Sequence, residues 1–167
     1  MTLRLLVGLT LLAALLMACD RPDPATTPST HLIDDLLSKE SPEAVEAALG
    51  AKAASWSIDF TEKITPTSFE EPVEVIRVKI PGYESLGFSG RLLLTFNDDL
   101  LTRTEFCPAD FQAYVRALEA EIGVPILEAG NGHQDGNTVI WAWTLEPGKE
   151  CVGWRDQQLT RIFSDSD

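Results

Sequence analysis

The side chains able to do acid–base, nucleophilic or metal chemistry are few and scattered along this chain. His31 and His133 are its two histidines. They fall in different segments, and neither stands near a Cys, Ser or carboxylate in the arrangement of a catalytic triad. Cys107 and Cys151 could join His133 around zinc, but the paired ligand spacing of a zinc site is absent. The stretch Asn131-Gly132-His133-Gln134-Asp135-Gly136-Asn137 has the look of a cation loop. A calcium loop of the EF-hand type needs a carboxylate at its twelfth position, which here is Ala142, so the stretch reads as a turn rich in Gly and Asn. Asp34-Asp35, Glu70-Glu71 and Asp98-Asp99 are sequence neighbours in polar segments; such side chains point apart and read as solvated surface. Gly87-Phe88-Ser89-Gly90 is not a nucleophile elbow, which requires Gly both two before and two after Ser; here the residue two after is Arg91. Of Trp56, Trp141, Trp143 and Trp154, most are expected to fill a core, as strand tryptophans usually do in small domains. Trp141 and Trp143 together are bulky for one strand face, and they are the candidate binding face. The expectation is a protein that is not an enzyme and uses no cofactor and no metal.

The remaining chemistry sits at the N-terminus, MTLRLLVGLTLLAALLMACD. One positive charge, Arg4, precedes an uncharged run from Leu5 to Ala18, below the ~20 residues that cross a bilayer and ending in small residues suited to cleavage. Leu16-Met17-Ala18-Cys19 resembles a bacterial lipobox. The resemblance implies that residues 1–18 are a signal peptide, that the Cys19 thiol receives a diacylglycerol, and that the new amino terminus is acylated. One acyl chain holds marginally, at roughly 0.8 kcal/mol per buried CH₂, and two or three hold stably. The other reading is an ordinary signal peptide cut near Ala18, with Cys19 a bystander. Asp20 follows directly; in the enterobacterial lipoproteins this stretch resembles, Asp there marks retention at the inner membrane. The implied location is the bacterial cell envelope, facing the periplasm, with the inner membrane favoured over the outer. With Cys19 lipidated, Cys107 and Cys151 remain in an oxidising compartment, and a disulfide between them is expected. It would close a loop of about 44 residues and contribute roughly 3–4 kcal/mol. Two unpaired buried thiols are the alternative.

Composition narrows the partners. The chain has 13 Lys and Arg against 26 Asp and Glu, a net charge of -13. Such a chain repels nucleic acid and anionic headgroups, so no nucleic-acid partner is expected, and the membrane is met only through the N-terminal lipid. An acidic surface suits solubility and could favour a basic partner. Residues 19–30 hold three prolines and three threonines and no large apolar side chain, the composition of a tether. Residues 31–167 are enough for one domain.

Local pattern gives the elements. Leu32, Ile33, Leu36 and Leu37 have helical spacing, enough for a turn or two. Ser41 as N-cap, Pro42 at the first position and Gly50 as the stop define a helix over 42–49. Trp56, Ile58 and Phe60 share a strand face at period two, as do Ile76, Val78 and Ile80. Residues 81–90 contain Gly82, Gly87 and Gly90 and read as a loop. Asn97-Asp98-Asp99 turns a hairpin, in whose second arm Leu101 argues for one inward face and Leu100 and Phe106 for the other. Phe111, Tyr114, Val115, Leu118 and Ile122 make the stripe of a second helix ended by Gly123. Val139, Trp141, Trp143 and Leu145 line a further strand, Glu146 to Lys149 turn, and residues 150–163 read as two short strands around Arg155-Asp156-Gln157.

The chain also echoes itself. Phe96-Asn97-Asp98-Asp99-Leu100-Leu101-Thr102-Arg103 aligns with Trp154-Arg155-Asp156-Gln157-Gln158-Leu159-Thr160-Arg161 at constant offset. A helix stop, Leu49-Gly50 or Ile122-Gly123, and a Trp-bearing strand precede each. This suggests an internal duplication, residues 41–106 and 108–163. The order resembles the small lipoproteins of the BamE/SmpA type and, more loosely, the β-lactamase inhibitor protein built from two such units. What the resemblance implies is an α+β fold of two helix-then-antiparallel-strand units, with the helices packed on one face of an antiparallel sheet. No functional residues carry over. The expectation is a lipid-anchored, non-catalytic module that binds another envelope protein. The alternative is a periplasmic inhibitor or immunity protein neutralising a basic hydrolase, and a third reading is an enzyme with an unrecognised site.

Overall fold

The computed structural model describes residues 23–66, 71–126, 132–144 and 150–163. The leader, Cys19, Asp20, Glu70, Asn131, Leu145, the turn 146–149 and the tail 164–167 lie outside the described residues. Seven strands, β1 (Ser57–Ile64), β2 (Val73–Ser85), β3 (Phe88–Asn97), β4 (Leu100–Pro108), β5 (His133–Asp135), β6 (Thr138–Thr144) and β7 (Glu150–Asp156), form one sheet ordered β1-β2-β3-β4-β7-β6-β5. Every neighbouring pair is antiparallel. Three short helices accompany it: α1 (Pro42–Leu49), α2 (Phe111–Ile122) and α3 (Gln157–Phe163). Among the described residues no helix is long and apolar enough to cross a membrane.

This corrects the expected architecture. The protein is mostly sheet, not two helix-then-strand units, and its helices do not share one face. Val45 and Leu49 of α1 and Phe111, Tyr114, Val115 and Leu118 of α2 pack with Val78, Leu94, Phe106 and Trp154 in the main core. Leu159, Ile162 and Phe163 of α3 pack with Val73 and Val75 on the opposite side of the sheet. The two echoed stretches also take different local structures. Around Asp98 and Asp99, φ is 47° and 61°, the paired left-handed conformation of a tight hairpin turn. At the echoed position Asp156 instead accepts the amides of Gln158 and Leu159 (2.9 and 3.0 Å) and starts a helix. One Asp turns a hairpin and the other caps a helix, so the residues expected as two short strands are β7 followed by α3.

Two further differences come from turns and bulges. Residues 81–90 are not a loop. β2 runs to Ser85, Leu86 and Gly87 turn with φ of 50° and 77°, and β3 starts at Phe88. Gly90 pairs with Pro108 in the sheet, and glycine is needed there because a Cβ would lie 2.6 Å from the Cys107 carbonyl and 2.8 Å from the Phe106 ring. In β4 the register shifts opposite Thr95 and Phe96, which face Arg103 and Leu101, leaving Thr102 as a bulge residue. The extra residue lets Leu101 and Phe106 both reach the main core, while Leu100 turns to the α3 side. A second shift between Ile58 and Phe60 breaks the period-two stripe of β1. Phe60 thereby stands opposite Arg77, and Ile58 opposite the core residue Val78.

Both expected helices with defined stops form. Ser41 Oγ accepts the Ala44 amide (3.3 Å) and Gly50 ends α1 at positive φ. Asp110 accepts the Ala113 amide (3.0 Å), and Gly123, left-handed, ends α2. The segment 31–38 is not helical, although Leu32, Ile33 and Leu36 are buried in the core. Asp34 takes φ 50°, and the Leu32 amide bonds the Leu36 carbonyl (2.9 Å) to close a tight loop. In the tether, Pro24–Thr26 form a single 3₁₀ turn, and Thr30 is tied to the domain through Ser38 (2.9 Å) and Thr138 (2.5 Å).

Candidate functional site

Among the described residues, two depressions and one sheet face offer geometry a ligand could meet. The first depression, of about 240 Å³, lies between the 31–34 segment, α2 and the β5–β6 hairpin, with Asp34, Ser85, Tyr114 and Glu121 on its wall. Its polar groups largely answer one another. The Tyr83 hydroxyl and Ser85 Oγ donate to the two Asp34 oxygens (2.5 and 2.9 Å), and Ser85 and Tyr114 lie 3.3 Å apart. Burial, followed by the hydrogen bond to Asp34, pushes the Tyr83 phenol far above its ordinary value, and burial does the same to Tyr114. These are the chain's only two tyrosines. A phenol with a raised folded value stabilises the fold fully below pH ~10, and that contribution is lost as pH rises beyond it. Tyrosinate absorbance should therefore be missing from the folded protein at pH 10–11 and appear together with cooperative unfolding at higher pH. A gradual rise centred near 10 with the fold intact would contradict the burial of both rings.

The sheet face opposite the main core carries the more distinctive chemistry. α3 covers one end of it, and no described helix covers the rest. Strand register lines up a transverse row from edge to edge: Phe60, Arg77, Thr95, Arg103, Arg155, Val139 and Gln134. The next row contains Glu105, Gly153 and Trp141. Arg77 and Arg103 each bond one carboxylate oxygen of Glu105, whose side chain is only 1% exposed. Trp141 and Trp143, half-buried, stack with ring centroids 5.5 Å apart and planes 16° from parallel. The Arg103 guanidinium lies 5.0 Å from the Trp141 centroid and 5.6 Å from that of Trp143; Arg155 lies 5.3 Å from Trp141. At the far side Arg77 sits 5.7 Å from the Phe60 ring. Guanidinium over a Trp face is worth about 0.5–1 kcal/mol when exposed and about 2 when dry.

Gly153 seats this arrangement. A Cβ on it would lie 2.5 Å from a Trp141 ring carbon, so only a glycine lets the indole lie flat on the strand beside it. Beyond Trp143 the face is closed by Cys107 and Cys151, joined with an S–S distance of 2.02 Å; Cys151 stands opposite Trp143 in the register. Both thiols are consumed in this bond, so neither is available to His133 for a metal. Trp141 and Trp143, alternate residues of β6, lie on one sheet face. Cys19 and Asp20 lie outside the described residues. Sequence reasoning missed Arg77, Arg103, Arg155 and Glu105. The signal was present in Thr102-Arg103-Thr104-Glu105-Phe106-Cys107, where Arg103, Glu105 and Cys107 alternate with residues turned to the core. The Thr102 bulge hid it, because it made the inward face ambiguous.

The described side chains of this face include guanidiniums, indoles, hydroxyls and one carboxylate already bonded to two arginines. The face offers a rigid aromatic platform flanked by guanidiniums, two of them bonded to one carboxylate, on a chain whose net charge is -13. No protein-family model, curated protein or solved structure matches the chain, so the functional reading rests on this geometry.

Proposed function

We propose that this chain is a lipid-anchored protein of the bacterial cell envelope, fastened through Cys19, which works by binding another protein on the α3-bearing face of its sheet. The observation that carries the docking role is the Trp141–Trp143 stack gripped by Arg103 and Arg155. Trp and Arg dominate interface hot spots, and side chains already locked by stacking lose little entropy when a partner arrives. The lipobox resemblance, the short apolar leader and the Pro/Thr stretch support the anchor, and the periplasmic side fits the Cys107–Cys151 bond. The Asp20 position favours the inner membrane.

The inhibitor or immunity-protein reading draws support from the overall acidity. It would be strengthened by Trp and acidic residues sharing an exposed face. The Trp pair here is flanked by arginines instead, which favours the general docking module. Labelling with a fatty-acid analogue should mark the wild type and not Cys19→Ala, and the variant should leave the membrane fraction. Label or membrane association that survives the substitution would remove the anchor. A partner that is a component of a membrane complex fits the module; a basic lytic enzyme would return the inhibitor reading.

A further inference from the structure

The docking face leaves part of its positive charge unanswered. Arg103 and Arg155 stand directly opposite each other across β4 and β7, a like-charge cross-strand pair that is unfavourable without an anion nearby. Glu105 answers Arg103 and Arg77, whereas no ion pair to Arg155 forms among the described residues. The Nε atoms of all three arginines are shielded from solvent and have no hydrogen-bond partner. Arg103 and Arg155 also line a cleft of about 170 Å³ at the border with α3, together with Thr95, Asn97, Thr102 and Thr160. Hydroxyls, an amide and two guanidiniums face this space, and no carboxylate lines it among the described residues.

We propose that this cleft receives an acidic side chain of the docked protein, its carboxylate held between Arg103 and Arg155 while the adjoining residue rests on the Trp141–Trp143 stack. The inference depends on the sheet face being the docking surface and names the chemistry of what docks there. The size argues for a side chain: ligand pockets for whole cofactors run to about 300–1,000 Å³, and this cleft is smaller. Geometry argues for a carboxylate, since a planar guanidinium presents parallel N–H groups that a carboxylate accepts in pairs. Charge argues for a short acidic segment over a long polyanion. The local excess is positive, but the chain as a whole carries -13, and a polyanion would feel the repulsion of the acidic remainder beyond one Debye length of about 8–10 Å.

The test uses the full chain and a terminally blocked peptide of alternating Glu and Ala, with its Gln and Ala twin as control. Inorganic sulfate and a sulfated polysaccharide are run alongside. The readouts are the arginine Nε–H and tryptophan indole signals in NMR spectra. The expected result is that the Glu peptide shifts the Arg103, Arg155, Trp141 and Trp143 signals. Binding should weaken about tenfold or more for the Gln twin and for Arg155→Gln, and less for Arg155→Lys. An unchanged amide fingerprint away from the face certifies that each variant is folded. Equal affinity for the two peptides, or no shift by either, overturns the inference. Sulfate binding as tightly as the Glu peptide would make this a site for a free inorganic anion, and preference for the polysaccharide would replace the protein ligand; both also overturn it. None of these results touches the docking reading, which fails separately if contacts from Trp143 to an envelope protein are absent.

Discussion

Removing the Cys107–Cys151 bond should cost about 4 kcal/mol of folding stability, the largest single loss expected in this molecule. The bond spans 44 residues, and by the chain-entropy relation a loop of that length restricts the unfolded chain by about that amount. Its place in the topology adds to the argument. It joins β4 to β7 immediately beyond the Phe106 and Val152 pair, where the β1–β4 meander meets the three strands that return from the far edge. Those strands reach β4 only after α2 has carried the chain across the sheet, so their pairing joins strands farther apart in sequence than any other neighbouring pair in the sheet. Urea titration of the double variant Cys107→Ala and Cys151→Ala should show a lower midpoint and a somewhat steeper dependence, because the unfolded chain is freer to expand. Since total stabilities run to about 5–15 kcal/mol, the variant should be only marginally folded at physiological temperature. A loss under about 1 kcal/mol would mean that the seam is held by its packing alone.

The second large effect is expected at Asp156. This side chain is fully buried and has every oxygen used. Oδ1 accepts the Gln158 and Leu159 amides, and Oδ2 accepts the Ser38 hydroxyl (2.7 Å). Ser38, itself buried, in turn accepts the Thr30 amide. One carboxylate thus starts α3 on one side of the sheet and ties down the entry segment of the domain on the other. Asp156→Ala removes an N-cap, worth about 1 kcal/mol, and leaves a buried hydroxyl and two amides without their acceptor, for a combined cost of about 3 kcal/mol. Asp156→Asn keeps an oxygen for the amides and should cost about 1 kcal/mol. Chemical denaturation of the two variants measures both numbers. Similar small losses would show that α3 starts without its cap.

The order of elements was legible from the sequence where capping and periodicity agreed. Ser41-Pro42 to Gly50 and Asp110 to Gly123 carry their own start and stop chemistry, and the Asp98-Asp99 turn carries its own φ preference. Legibility failed where one residue changed the phase of a pattern. Thr102 and the register shift before Phe60 each moved a side chain to the other face, and neither bulge has a local signature. It failed again where tertiary contacts chose between conformations open to the same residues. Asp156 resembles Asp98 in its neighbours, but the Ser38 hydroxyl and the apolar Leu159, Ile162 and Phe163 reward a helix there. Gly82, Gly87 and Gly90 suggested a loop, yet Gly90 is required by the Phe106 ring packed against its strand. The Trp pair of the site could be read from alternate residues of one strand. Its arginines were harder, because Arg77, Arg103 and Arg155 come from three strands whose register is set by the whole sheet, and the Thr102 bulge blurred the one local signal.

The central claim is that the Trp141–Trp143 face, with its arginines, is where this protein meets its partner. Photo-crosslinking in intact cells addresses it most directly, with a benzoyl-phenylalanine introduced by codon suppression at Trp143 and, as control, at Gln112, which is exposed on α2 on the other side of the sheet. The account predicts a discrete crosslinked envelope protein from position 143, lost when Trp141→Ala is added and absent from position 112. Crosslinks from position 112 but not 143, or a position 143 product indifferent to Trp141→Ala, would place the partner elsewhere and contradict it.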